Sequence, residues 1–166
     1  WNDDEYIELR NLGSGSASIV KLMYQIEDQK LYAIKMQGPT YNESEEYSTR
    51  EYKNYLRINY PLLPKLYGIY KLHDKYYLKI QFINGKTLEK SKGIKTTFEN
   101  KIFIILQLIL IIKYLHTKNF VYRDLKPNNI IIDENNTVFV IDFDRMISEI
   151  EDKDKTHTLE FGEFSA

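Results

Sequence analysis

Two carboxylates, a lysine and a carboxamide fall close together in this chain. Asp124, Lys126 and Asn129 lie in VYRDLKPNNIIID, and Asp142 follows Asp124 by 18 residues, in VFVIDFDRMI. Lys126-Pro127 reads as a turn entering the apolar run NNIIID, and Asp142 closes the next such run, NTVFVID. A hairpin lays those runs side by side and brings the four polar groups to one rim. A hard cation such as Mg²⁺ takes oxygen ligands and keeps phosphate oxygens in its shell, so Asp142 and Asn129 suit it. Asp124 is left to orient or deprotonate an attacking hydroxyl, and Lys126 to neutralise charge on a group in transfer. Taken singly, each residue is an ordinary solvated loop charge. The set at these spacings points to chemistry on phosphates.

Two further features belong with it. Gly13 and Gly15 in LGSGSASIV let a backbone approach a phosphate closely, although a Gly-Ser pair between strands is by itself only a turn. A dinucleotide fingerprint would open a helix here, whereas a strand follows. Lys35 in YAIKM alone reads as an edge charge. Glu51, however, shares a helical face with Tyr47, Tyr55 and Ile58 at offsets of −4, +4 and +7. A carboxylate within an apolar stripe needs a partner, because an unpaired buried ion costs several kcal/mol, on the order of the Born penalty after relaxation. Lys35 is the natural one.

The elements that must position these groups can be read in order. YIELRNL, SIVKLMY and KLYAIKMQ are strand-like runs separated by turn residues such as Asp28, and predict an antiparallel meander. NESEEYSTREYKNYLRI, acidic first and basic later, predicts a helix from near Asn42 that Pro61 and Pro64 end. KLYGIYKL and KYYLKIQFI predict a hairpin around His73-Asp74 that completes a five-stranded sheet. NGKTLEKSKG reads as a polar linker leading to a short helix. Phe98 to Lys118 predicts a long helix, then NNIIID and NTVFVID a small hairpin, and the charged tail from Asp144 to Ala166 a loop.

The run IFIILQLILII, Ile102 to Ile112, sits between Lys101 and Lys113 and has only 11 residues. A bilayer span needs roughly 20, so a buried helix is expected. The net charge is −1 with a pI about 6.4, and the charges are scattered. That argues against a nucleic-acid grip built on bulk charge. Without cysteine there is neither a disulfide framework nor a thiolate metal site, and an intracellular, cytoplasmic setting is expected. The 14 tyrosines and 8 phenylalanines supply burial for a packed globule.

Assembled, these motifs resemble a eukaryotic-type protein kinase along essentially the whole chain. LGSGSASIV resembles the glycine-rich loop, YAIK the phosphate-binding lysine strand, and REYKNYLRINYP the helix whose glutamate pairs with that lysine. YYLKIQFINGKTL resembles the hinge, YLHTKNFVYRDLKPNNIIID the catalytic loop, and VIDFD the metal-binding turn. The resemblance implies an α+β, two-lobed protein-kinase-like fold. It would comprise a five-stranded antiparallel N-lobe with one helix (1–83) and an incomplete, mainly helical C-lobe (84–166) with helices D and E, catalytic loop, metal-binding turn and activation segment.

It also implies roles. Lys35, paired with Glu51, would hold the α- and β-phosphates of ATP under the loop of Leu12, Gly13 and Gly15. Val20 and Ala33 would lie above the adenine, Ile80 would guard the back of its pocket, and Gln81 and Ile83 would offer backbone groups. Asp124 would be the catalytic base, Lys126 would sit beside the γ-phosphate, and Asn129 and Asp142 would bind Mg²⁺. Lys126-Pro127 after Arg123-Asp124-Leu125 resembles serine/threonine kinases, so the partners implied are ATP and a protein substrate, with neither nucleic acid nor membrane. Arg123 suggests pairing with an activation-segment phosphate, for which Thr156 and Thr158 are candidates.

The departures are Ser18 for the third loop glycine, Tyr122 for the commonest histidine, Tyr55 for an aliphatic residue, and Asp144 for the glycine of Asp-Phe-Gly. Asp144 restricts the backbone and adds charge beside the metal site. It keeps alive a rival reading, a pseudokinase that binds nucleotide or scaffolds. A small-molecule phosphotransferase is a further rival, opposed by the RDLKP motif. FGEFSA resembles the approach to Ala-Pro-Glu with Ala166 as its alanine, which implies a domain cut just before Pro-Glu, marginal in folding and in nucleotide binding as it stands. The sequence fixes no oligomeric state.

Overall fold

The computed structural model describes residues 5–15, 18–37, 44–72, 75–91 and 97–148. β-rich runs at the start fold as the expected meander: β1 (Tyr6–Ser14), β2 (Ser18–Gln25) and β3 (Lys30–Gln37). Two register shifts in β1, between Glu8 and Arg10 and between Asn11 and Gly13, re-aim its glycine-bearing end. Asp28 sets the turn into β3 by accepting the Lys30 N–H at 3.1 Å, with Gln29 in the left-handed region at φ 56°. Helix α1 (Ser44–Arg57) stops before Pro61 and Pro64. β4 (Leu66–Leu72) and β5 (Lys75–Gln81) pair as the expected hairpin. The sheet order is β1-β2-β3-β5-β4, antiparallel throughout. Asn42 and the hairpin tip His73-Asp74 lie outside the described residues.

Beyond Gln81 the structure corrects three expectations. The polar stretch read as a linker contains a strand, β6 (Gly85–Thr87), which pairs with β8 (Ile130–Asp133), itself paired with β9 (Val138–Val140). Gly85 makes the pairing possible: a Cβ there would lie 2.5 Å from the Ile132 carbonyl oxygen. The same stretch carries a single 3₁₀ turn, Glu89–Ser91, and the short helix expected after it lies outside the described residues. The tail is not all loop, since β10 (Ile147–Ser148) pairs with β7 (Phe120–Val121). The remainder of that tail, with Thr156, Thr158 and FGEFSA, lies outside the described residues.

The third correction concerns α2 (Phe98–Thr117), whose first turn is capped by Thr97 Oγ1 accepting the Asn100 N–H at 3.2 Å. A buried helix was expected. Only Gln107, Ile111 and Leu115 are buried, at i, i+4 and i+8, while Ile102, Phe103, Ile105, Leu106, Ile109 and Leu110 are between 40% and 56% exposed. The helix is apolar all round, and among the described residues only one of its faces meets the core. No helix among the described residues is long and apolar enough to cross a membrane.

Gln107 is the polar member of the buried face. Its Nε2 donates to the Asn136 carbonyl at 2.8 Å and its Oε1 accepts the Val138 N–H at 3.0 Å, so one side chain closes the β8–β9 turn against α2. Gln107→Leu keeps the volume and leaves both backbone groups without that partner. Burying an unsatisfied backbone group costs about 1–3 kcal/mol, so a fall in the urea midpoint corresponding to at least about 2 kcal/mol is expected.

One buried cluster runs through both halves of the chain. It joins Tyr55 on α1, Ile58 just past its end and Leu78 and Ile80 on β5, through Tyr122 and Phe143, to Ile111 and Leu115 on α2. A smaller cluster of Met23, Tyr32 and Ile34 is separate from it.

Candidate active site

Glu51 sits where its helical stripe placed it, buried to 2% exposure, and it has the expected partner: Lys35 Nζ lies 2.7 Å from Glu51 Oε2. Lys35 stands in the middle of the sheet, opposite Val20 on β2 and Leu78 on β5, which fixes the root of its side chain. The same ammonium is 2.6 Å from Asp142 Oδ1, so one cation bridges two carboxylates 91 residues apart in sequence. Burial works against the Lys35 charge, yet the carboxylates of Glu51, Asp142 and Asp144 outweigh it and raise its pKa above the usual lysine value. Burial raises the Glu51 carboxyl, with Lys35 pulling the other way.

These groups line a cavity of about 380 Å³. Leu12, Gly13, Val20, Ala33, Ile80, Gln81 and Ile83 line it too, each a residue the sequence assigned to a nucleotide pocket. Gly15 is not on its wall; its N–H instead closes the loop onto Ser18 O at 2.9 Å. Gln81 donates its N–H to Lys65 O at 2.8 Å and accepts the Lys65 N–H through Oε1 at 3.2 Å, which leaves its carbonyl as the backbone group to offer a ligand. The wall also includes Phe82, Thr87, Ile131 and Ile141, which the sequence reading did not single out. Ile131 was within reach of it. In a strand whose neighbour Ile130 faces the core, period-two alternation turns Ile131 the other way.

Asp124, Lys126 and Asn129 are off the cavity wall, while Asn128 of the same turn is on it. The three form one small network. Lys126 Nζ is 2.7 Å from Asp124 Oδ2, and Asn129 Nδ2 donates to Asp124 Oδ2 at 2.8 Å and to its carbonyl at 3.0 Å. Asn129 is buried, within the 3₁₀ turn Pro127–Asn129. Its carbonyl accepts the Ile141 N–H at 3.0 Å, so this turn is stitched directly to the residue before Asp142. With its amide nitrogen on Asp124, the oxygen of Asn129 remains as a donor atom for a cation. With the Asp142 carboxylate it would offer hard oxygen donors of the kind Mg²⁺ takes. Among the described residues no group of three or more His, Cys, Asp or Glu is placed to hold a metal, so such an ion would complete its shell with other oxygens.

The turn after Asp142 is gripped by α1. Asp142 has φ 69°, a left-handed conformation that in a non-glycine residue costs on the order of 1–3 kcal/mol. Glu51 Oε1 accepts the Phe143 N–H at 3.3 Å, and Asn54 Nδ2 donates to the carbonyls of Phe143 at 2.9 Å and Met146 at 2.8 Å. The Phe143 ring is fully buried, edge-on to Tyr55 at 4.8 Å and to Tyr122 at 5.9 Å. Tyr122, in the place where histidine is commonest, donates its hydroxyl to the Ile141 carbonyl. Asn54 was missed by the sequence reading, although its position three residues after Glu51 puts it on the same face.

Asp144 is the feature that fits least well. Its Oδ1 is buried with no hydrogen-bond partner among the described residues. Burial first, and then the neighbouring Asp142, raise its pKa above the usual carboxylate range.

The geometry can be set beside known proteins. The protein kinase domain family model matches residues 6–162. The chain is 31% identical over 157 residues to ribosomal protein S6 kinase alpha-3 of Homo sapiens, covering 90% of this chain and 21% of that protein. It is 30% identical over 148 residues to serine/threonine-protein kinase OXI1 of Arabidopsis thaliana, covering 80% and 35%. With the cAMP-dependent protein kinase catalytic subunit of Dictyostelium discoideum it shares 28% over 144 residues, covering 84% and 22%. The chain thus spans about a fifth to a third of the length of these relatives. With its ordered motifs, its five-stranded sheet and a family match over nearly its whole length, the chain belongs to the protein kinase domain family.

Proposed function

We propose that the protein transfers the γ-phosphoryl group of ATP to serine or threonine hydroxyls of protein substrates, with residues 1–83 as the small lobe and 84–166 as part of the large one. The observation that carries this reading is Lys35, held between Glu51 and Asp142 on the wall of a cavity lined by Leu12, Val20, Ala33 and Ile80. In that arrangement the ammonium is aimed by Glu51 at the place where phosphates would meet Asp142, so positioning and electrostatics are available before substrate arrives. Mg²⁺, held by Asp142 and Asn129, would neutralise charge on the phosphate oxygens. Asp124 would accept the substrate hydroxyl proton, with its carboxylate oriented by Asn129 and Lys126. Specificity for serine and threonine is supported by Lys126-Pro127 and by the printed name of the Arabidopsis relative.

Asp144 favours a second reading, in which the protein binds nucleotide without turning it over. The experiment that separates the two is phosphate transfer by the full-length protein to serine, threonine and tyrosine peptide pools, with Mg²⁺ and with a chelator. Magnesium-dependent labelling of serine or threonine is expected. Nucleotide binding with no labelling would establish the second reading, and labelling of tyrosine alone would overturn the specificity.

A further inference from the structure

We propose that Asn54 is a positioning residue, a clamp by which α1 holds the turn from Asp142 to Met146 in the one conformation that presents Asp142 to the site. The proposal rests on the reading of Asp142 as a metal ligand. It goes beyond that reading by naming the group that maintains the ligand's backbone.

An asparagine on the buried face of an amphipathic helix is expensive unless its polar atoms are satisfied. Asn54 is 4% exposed and is flanked on that face by the buried Glu51 and Tyr55, with Ile58 just past the helix end. Its amide nitrogen makes two hydrogen bonds, and both go to one short turn, to Phe143 O at 2.9 Å and Met146 O at 2.8 Å. Those carbonyls bracket Asp144, the residue that stands where glycine is expected. The same turn contains a left-handed non-glycine residue, Asp142 at φ 69°. Such a conformation persists only where the surroundings over-determine it. Four restraints do so here: Lys35 on the Asp142 carboxylate, Glu51 on the Phe143 N–H, and the two bonds from Asn54. The Lys35 contact is the one that phosphates and a cation would compete for. Glu51 holds one N–H at 3.3 Å. Asn54 is the restraint that the site's own chemistry does not engage, so it keeps the turn in place while Asp142 exchanges partners.

The test uses the full-length protein and has two readouts. In hydrogen exchange, Asn54→Leu should speed the Phe143 and Met146 amides by about 10–100-fold, the effect of losing two buried hydrogen bonds, with the amides of β2 and β3 unchanged. In kinetics, the Mg²⁺ half-saturation should rise by about 10-fold with the ATP KM held within about twofold, because Lys35 and Glu51 remain. Leu56→Ala, on the exposed side of the same helix, should change neither. A role in stability alone would lower the melting temperature without moving the magnesium dependence, and that result overturns the proposal, as does exchange at Phe143 and Met146 within twofold of the parent protein. Should Asn54→Leu fail to fold, the parent protein decides. In rising denaturant its Phe143 and Met146 amides should open together with those of α1, and opening ahead of α1 overturns the clamp. If Asp142→Asn leaves the magnesium dependence unmoved, the reading of Asp142 as ligand fails, and the exchange data alone still judge Asn54.

Discussion

Asp124→Asn in the full-length protein lowers kcat by about 10²–10⁴-fold, the usual worth of a positioned general base, while the fold and the ATP KM stay near their parent values. The reason is local. Asp124 Oδ2 accepts from Lys126 at 2.7 Å and from Asn129 at 2.8 Å, and asparagine offers an oxygen of the same size in the same place. Lys126 is 48% exposed, so weakening its ion pair costs about 1 kcal/mol or less. What asparagine cannot do is take up a proton from a hydroxyl at neutral pH. Turnover within about tenfold of the parent protein would remove Asp124 from the role of base and leave positioning as its only contribution.

Lys35→Met has the second large effect, and it acts on stability as well as on turnover. The substitution leaves Glu51 buried at 2% exposure without its cation, and breaking a buried pair from one side costs about 3–5 kcal/mol. Removing both partners is different, because an apolar pair of similar volume is often neutral or stabilising. The double variant Lys35→Met with Glu51→Leu should therefore recover most of the lost stability and none of the lost phosphoryl transfer. Denaturant midpoints of the two single variants and the double variant check the first claim and a peptide assay the second. A double variant no more stable than Lys35→Met would mean that the Lys35–Asp142 contact, not the Glu51 pair, carries the stability.

The strengths and gaps of the sequence reading have physical causes. The Lys35–Glu51 pair was legible because a carboxylate among Tyr55 and Ile58 on one helical face has few ways to be satisfied. The cavity wall was legible where residues sit in named motifs. Ile131 and Ile141 lie inside quoted motifs whose resemblance gave them no role, and the fold was needed to show them on the wall. β6 was hidden because it is three residues long and polar, and its pairing partner β8 lies about 45 residues on. The exposed side of α2 was hidden for the opposite reason: an apolar run reports what a residue prefers, while its burial depends on what is packed against it. The spacing of Asn54 from Glu51 gives its face of the helix but not its partners. Its two acceptors are 89 and 92 residues away, beyond any local pattern.

The unbroken cluster from Tyr55 through Phe143 and Tyr122 to Leu115 bears on how the molecule comes apart. A boundary between folding units is a place where few side chains interlock, and here the ring of Phe143 is packed against residues from both sides of that place. The β5 side of the sheet and the long helix are thereby joined through one shared ring. Opening the turn after Asp142 would withdraw the ring they share and so loosen the contact between the two halves of the cluster.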